Sequence, residues 1–449
     1  MNPTASPTLV RRLGLFDATM VVMGGIVGSG IFIAAYVVAG QVHTPALILG
    51  AWLVGGVVAL CGAFIYAELA DRMPDVGGQY AYLRDTYHPI VGFLYGWVLL
   101  LVVQTGGMAA VTVTFARYFN ELTGLHADER VVAVITLAIL TVVNCLGVAI
   151  GSRVQSGFML LRIAAICGLI VAGLFYARNP QPILVAPLDY APDFGLVTAF
   201  GAALIPVLFA YGGWQTSTFL SAEIKSPHRN LPRALLVGVI GVIILYTLVN
   251  LVYVRVLGPE ALAATRVPAS AVARLTLGRL GTKFVEIGIA CSTVGFLSQS
   301  VLTAPRVYFA MAEDRVFFRS LAFVNRRTRV PVVAIIVQSV WTAVVALSGR
   351  FEQILNYVVS MDFLFFGLTA SCIFVLRHRE AKVKGHVRTH GSRVPGHPFT
   401  TAFFVIVCWL VVATTLYKFP ANSLLGMAIL LLGVPVYFLW RGLARTELS

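Results

Sequence analysis

Residues 24–30 read Gly24-Gly25-Ile26-Val27-Gly28-Ser29-Gly30, and residues 211–214 read Tyr211-Gly212-Gly213-Trp214. Each stretch interrupts an apolar run near its middle, the first run covering 16–40 and the second 196–222. Glycine in a helix interior costs about 1 kcal/mol relative to alanine, so the glycine-dense segment 24–30 makes a poor continuous helix. Unwinding there frees N–H and C=O groups within an apolar span, and lipid offers them no partner. Such groups are tolerated only where they face a cavity or a ligand. A packing role competes with this reading, because Gly24 and Gly28 form a G-x-x-x-G pattern that lets two helices approach closely. Either break alone is open to both readings.

The surrounding composition sets the medium. Of 449 residues, 58% are hydrophobic and 12% charged, against about 25% charged in soluble domains. Mean hydropathy is +0.86. Apolar runs of about 20 residues, each able to cross about 30 Å of hydrocarbon, recur from end to end. The expected fold is an all-α integral membrane protein with twelve transmembrane helices. The spans fall near 16–40, 45–70, 89–116, 131–150, 154–177, 196–222, 232–257, 284–312, 332–349, 352–376, 399–417 and 422–441. The stretches 71–88, 178–195, 258–283 and 377–398 are loops too short for an inserted domain. Segment 1–15 is polar and precedes an apolar run without an A-x-A cleavage pattern, so that run is expected to stay as a span.

Lysine and arginine set the orientation. Most of the 33 basic residues fall on one side of the expected spans, which places both termini in the cytoplasm. Arg255, Arg266, Arg274, Arg279 and Lys283 oppose the trend without reversing it. The formal charge of +14 is thus explained by orientation and does not call for nucleic acid. The runs Arg326-Arg327-Thr328-Arg329 and Arg377 to Arg393 could hold anionic membrane lipid, although simple cytoplasmic anchoring is the better reading.

The two breaks lie five spans apart, an odd number, so a second copy of a five-helix unit would enter the membrane inverted. Inverted repeats place their binding site at such discontinuous helices. This gives a first repeat over 16–177, a second over 196–376, a basic cytoplasmic loop at 377–398, two added helices within 399–441 and a tail at 442–449. Two breaks in equivalent positions favour a site over packing. The half-helix beginning near Ile31 would aim free N–H groups and a partial positive charge at the cavity, where a carboxylate fits. Ser29 would add a hydroxyl. Carbonyls released over Phe209 to Gly212 would accept from an ammonium group. The guest that uses both ends is a zwitterion.

Ionisable residues inside spans are candidates by default. Asp17, Glu68 and Glu223 lie near the interface and read as caps or ion pairs. Glu286 and Asp362 are placed near the outer ends of their spans or just within them, with no role. Arg162, about two turns into span 5, reads either as a snorkelling anchor or as a tie between the broken first span and span 8. Its charge is permanent, which excludes a proton switch. The six cysteines lie singly in apolar runs and read as small hydrophobes. No metal-ligand cluster, nucleophile elbow or P-loop is present, so neither an enzyme nor a cofactor is expected. His378, His386, His390 and His397 in the basic loop read as solvated residues rather than metal ligands.

Gly28-Ser29-Gly30-Ile31-Phe32 resembles the G-S-G-I-F signature of the amino acid–polyamine–organocation transporter superfamily. Phe209 to Trp214, followed by Ala222-Glu223-Ile224-Lys225 and Asn230-Leu231-Pro232-Arg233-Ala234, resembles its sixth-span signature, closest to the L-type amino acid transporter branch. Tyr66-Ala67-Glu68-Leu69, Gly77 to Tyr82 and Arg306 to Arg315 are similar to further stretches of that branch. The resemblance runs over at least 13–376. It implies a five-plus-five inverted repeat with broken helices 1 and 6, alternating access, and substrate recognition at Ile26, Val27, Gly28, Ser29, Gly30, Phe209, Ala210, Tyr211, Gly212, Gly213, Trp214 and Gln215. It also implies an aromatic gate at Phe209. Gln215 stands where asparagine is common, which implies a different side-chain selectivity; Arg162 stands where lysine is common, which disfavours lysine-based proton coupling and leans towards exchange or facilitated movement. Animal members join a partner chain through a cysteine between spans 3 and 4. The segment Arg117 to Arg130 has none, so no disulfide-linked heavy subunit is expected, and the chain would be a monomer or homodimer.

The expected function is secondary transport of amino acids, with neutral side chains favoured because no acid is placed at either break. A polyamine or organic-cation transporter on the same fold and a non-transporting amino acid sensor are the alternatives. A channel would need a filter of repeated carbonyls or charged rings, and none is legible.

Overall fold

The computed structural model of the chain describes residues 9–28, 30–177, 179–182, 194–348, 351–382, 391–418 and 420–446. The helices are α1 (Leu15–Ile26), α2 (Gly30–Val42), α3 (Pro45–Arg72), α4 (Gln79–Thr86), α5 (Pro89–Val98), α6 (Gln104–Thr123), α7 (Glu129–Cys145), α8 (Val148–Phe175), α9 (Phe194–Tyr211), α10 (Pro227–Ala264), α11 (Pro268–Thr303), α12 (Pro305–Glu313), α13 (Val332–Leu347), α14 (Phe351–Lys382), α15 (Phe399–Lys418) and α16 (Pro420–Thr446). Among the described residues nine helical segments are long and apolar enough to cross a membrane. Counting the half-helix pair α1 and α2 as one span, with the 17-residue α7 and the shorter apolar α13, gives twelve. The chain is thus an all-α, multi-pass membrane protein.

Many starts are written in the sequence. Proline opens α3, α5, α10, α11 and α12, where its missing N–H costs nothing and its fixed φ suits the first turn. Thr44 caps α3 by accepting from Leu47 N at 3.3 Å. α6 ends at Gly124 in the left-handed conformation, a common helix stop.

Three features depart from the expected layout. The stretch 258–283 is largely helical rather than a loop. α10 continues through a bend at Gly258 (φ 75°) and α11 carries a second bend at Gly278 (φ 67°), and both backbone conformations suit glycine. The segment 71–88 contains the short helix α4. Span 3 is not uniform, since a π-helical turn at Leu99–Val103 separates α5 from α6; such turns often mark functional positions.

α3 packs along α10, α8 along α11 and α2 along α9, while α1 lies against α8 and α10. The broken spans therefore occupy the centre, surrounded by others. Their ends are also joined: Arg12 N and Leu13 N donate to Glu223 O at 2.9 and 3.0 Å, and Lys225 N donates to Leu13 O at 2.9 Å.

Candidate functional site

The first span breaks between α1 and α2. Val27 N still bonds Met23 O at 2.8 Å, but Val27 is extended (φ −74°, ψ 91°) and helical geometry resumes at Gly30. Ser29 lies outside the described residues. The carbonyl end of α1 is occupied. Arg162 Nη1 donates to Gly24 O at 3.3 Å and to Val27 O, and Tyr246 Oη donates to Ile26 O at 3.1 Å. Arg162 is 1% exposed and has no carboxylate partner among the described residues. A helix C-terminus carries partial negative charge, so α1 itself compensates the guanidinium. The same residue lies against Gly295 of α11. The tie between the broken span and span 8 is therefore present, and a snorkelling position is not.

The sixth span breaks after α9. Gly212 N donates to Phe209 O at 3.1 Å, Gly213 takes φ 109°, and a 3-10 helix follows over Trp214–Glu223. Gly213 N is held by Gln215 Oε1 at 3.0 Å. Thr216 donates to Gly213 O from its hydroxyl at 2.7 Å, and Gln299 Nε2 donates to Thr216 Oγ1 at 2.6 Å.

The two breaks touch each other. A Cβ on Gly213 would lie 2.0 Å from Gly25 O, and one on Gly25 would lie 2.5 Å from Gly213 O. Neither position can carry a side chain without moving backbone. A Cβ on Gly30 would meet Ala210 Cα and Cβ at 3.1 Å, whereas one on Gly28 would meet Phe296 at an ordinary 3.5 Å. The glycines thus divide: Gly25, Gly30 and Gly213 bring main chains together, and Gly28 lies in ordinary contact with Phe296 at the cavity wall. Tyr246 spans the junction, with a second, longer contact to Ala210 O at 3.4 Å, and its ring packs on Trp52 and Tyr211.

Beside this junction lies a cavity of about 360 Å³. Ile26, Gly28, Gly30, Phe209, Ala210, Gly212, Gly213 and Gln215 line it. Val27, Tyr211 and Trp214 are buried in packing instead and are absent from its wall. Val27 serves Arg162 through its carbonyl, Tyr211 packs on Trp52, and Trp214 donates its indole N–H to Ala59 O at 2.9 Å. Phe209 is 40% exposed and lies in the wall.

The cavity also holds residues that the sequence reading passes over: Gln104 just after the π turn, Thr216, Phe296, Gln299 and Asp362. Asp362 corrects a placement. It stands well within α14, not near a span end, and faces the cavity. It adds one acid to the cavity wall, on a span other than the two broken ones. The available signal was an acid inside an apolar run. The three near-interface acids take the parts expected of them. Asp17 Oδ2 accepts from Gly14 N at 2.9 Å, Glu68 pairs with Arg72 and Arg377 at 2.6 Å each, and Glu223 pairs with Arg306 at 2.6 Å. No group of His, Cys, Asp and Glu able to hold a metal occurs among the described residues.

The sequence profile of the family described as "Amino acid permease" matches residues 13–435. The human "Large neutral amino acids transporter small subunit 2" is 30% identical over 441 residues, covering 96% of this chain and 80% of that one. The "Serine/threonine exchanger SteT" of Bacillus subtilis is 31% identical over 434 residues, covering 96% and 97% of the two chains. The human "Cystine/glutamate transporter" is 28% identical over 437 residues, covering 96% and 85%.

Proposed function

Since this chain belongs to the amino acid permease family, we propose that it is a secondary transporter that moves amino acids by alternating access around a zwitterion held between the two breaks. The observation that carries this is the junction itself, where the breaks of spans 1 and 6 meet main chain to main chain beside a cavity. The carbonyl end of α1 is already filled by Arg162 and Tyr246. What α1 and α2 leave for a ligand is the N-terminus of α2, with its free N–H groups and positive partial charge, and Arg162 nearby adds charge of the same sign. The substrate carboxylate goes there. The ammonium goes to the carbonyls at the end of α9, and Phe209 closes over the bound molecule. Ser29, by its place in the chain, contributes to the carboxylate end.

The two breaks mark equivalent helices of an inverted repeat over 16–177 and 196–376, with both termini cytoplasmic. Transport is a rocking of one bundle against the other around the site. Arg162 stays charged throughout, so the reading favours exchange over proton symport through span 5. The protein works without a disulfide-linked heavy subunit, because Arg117 to Arg130 offers no cysteine.

Uptake of labelled amino acids into proteoliposomes tests this. Uptake should rise steeply when unlabelled amino acid is present inside. Transport of no amino acid under any gradient would sink the proposal. Uptake that ignores internal substrate and follows a pH gradient would remove the exchange assignment.

A further inference from the structure

Asp362 is the acidic residue among the described residues lining the cavity. Its neighbours in the wall are Val358, Val359, Phe363 and Phe366. Phe366 is backed by Trp214, with ring centroids 4.8 Å apart, and by Phe363 at 5.5 Å. No hydrogen bond or ion pair joins Asp362 to another described residue. A carboxylate on an apolar wall at membrane depth is costly unless a cation meets it. Arg162 donates to carbonyls of α1, and no ion pair joins it to Asp362 among the described residues.

A zwitterion brings no net charge to this wall. If its ammonium and carboxylate are taken by the two breaks, Asp362 faces whatever the side chain carries. We propose that Asp362 determines substrate specificity by pairing with a protonated amine on the substrate side chain, so that the preferred substrates are short cationic amino acids. This rests on the amino acid transport reading above and adds the side-chain class. The apolar neighbours would cover the methylene stem while the carboxylate takes the terminal ammonium. A site built around a buried hydrogen-bonding group discriminates strongly against an analogue that leaves it unpaired.

The test compares L-2,4-diaminobutyrate with L-norvaline, which share a backbone and side-chain length and differ in a terminal ammonium against a methyl group. Uptake of each is measured in proteoliposomes of the full chain and of Asp362→Asn. The wild type should favour diaminobutyrate by about tenfold or more in kcat/KM, the range expected for a hydrogen bond to a charged group. Its uptake in exchange for internal norvaline should also be stimulated by an inside-negative potential. Asp362→Asn should lower that ratio by a similar factor. The wild-type comparison needs no variant, so a poorly folded Asp362→Asn leaves the proposal testable. Equal or better transport of norvaline by the wild type, or an unchanged ratio in a folded Asp362→Asn, overturns it. So does norvaline uptake driven by a proton gradient and uncoupled by Asp362→Asn, which would make the carboxylate a proton acceptor. In each of these outcomes amino acids are still carried, and the transport reading stands. Failure to carry any amino acid removes both.

Discussion

Arg162 gives the sharpest test of how the first break is held. Its guanidinium spans Gly24 O and Val27 O, two carbonyls that would otherwise be free to draw residues 27–30 back towards a continuous helix. A hydrogen bond from a charged donor contributes about 1.5–3 kcal/mol. At 3.3 Å the bond to Gly24 O belongs at the weak end of that range. Both bonds come from Nη1; Arg162→Lys keeps the charge on a shorter side chain that should hold one carbonyl, losing about 1.5 kcal/mol, roughly tenfold. Arg162→Met loses both bonds at similar length and should cost about 3 kcal/mol, on the order of a hundredfold. These losses should appear as weaker substrate binding, because apparent affinity falls with the fraction of molecules in the binding-competent form. Global stability should change less, since replacing a buried ion by an apolar side chain also removes its desolvation cost. Substrate-dependent thermal shift and equilibrium binding on purified protein measure the two quantities separately. Wild-type affinity in a folded Arg162→Met would refute the assignment of Arg162 to the break.

Two further predictions follow from packing. Gly25→Ala should abolish transport and lower thermal stability, because its Cβ would lie 2.5 Å from Gly213 O, whereas Gly28→Ala should fold normally; transport by Gly25→Ala at wild-type rates would contradict the contact between the breaks. Glu223→Gln should destabilise the protein by about 3–5 kcal/mol by leaving Arg306 buried without its carboxylate, both side chains being 0% exposed; the double variant Glu223→Leu with Arg306→Met should recover much of this in a detergent melt, and additive losses would show that the pair is not coupled.

The breaks were legible because glycine acts locally. Each of Gly24, Gly25, Gly28 and Gly30 weakens the helix it sits in whatever lies nearby. The proline starts of α3, α5 and α10 and the apolar runs are local in the same way. The near-interface acids could be read as caps and pairs because a span end fixes their depth. Less legible were the helical stretches around Gly258 and Gly278, whose positive φ values redirect helices that look like loop in sequence.

The sequence alone determined that the chain crosses a membrane as helices and that spans 1 and 6 are interrupted, since both follow from backbone energetics within a few residues. It did not determine what fills the interruption. Val27, Tyr211 and Trp214 belong to the breaks in sequence but turn into packing, while Gln299 and Tyr246 lie far from them in sequence and meet them in space, and Asp362 lines the cavity beside them. A span that is apolar nearly all round says little about which face turns inward. Only the packing of α8, α10 and α11 around the broken pair, with α14 in the cavity wall, decides which polar groups reach the cavity and which carbonyls are already spoken for.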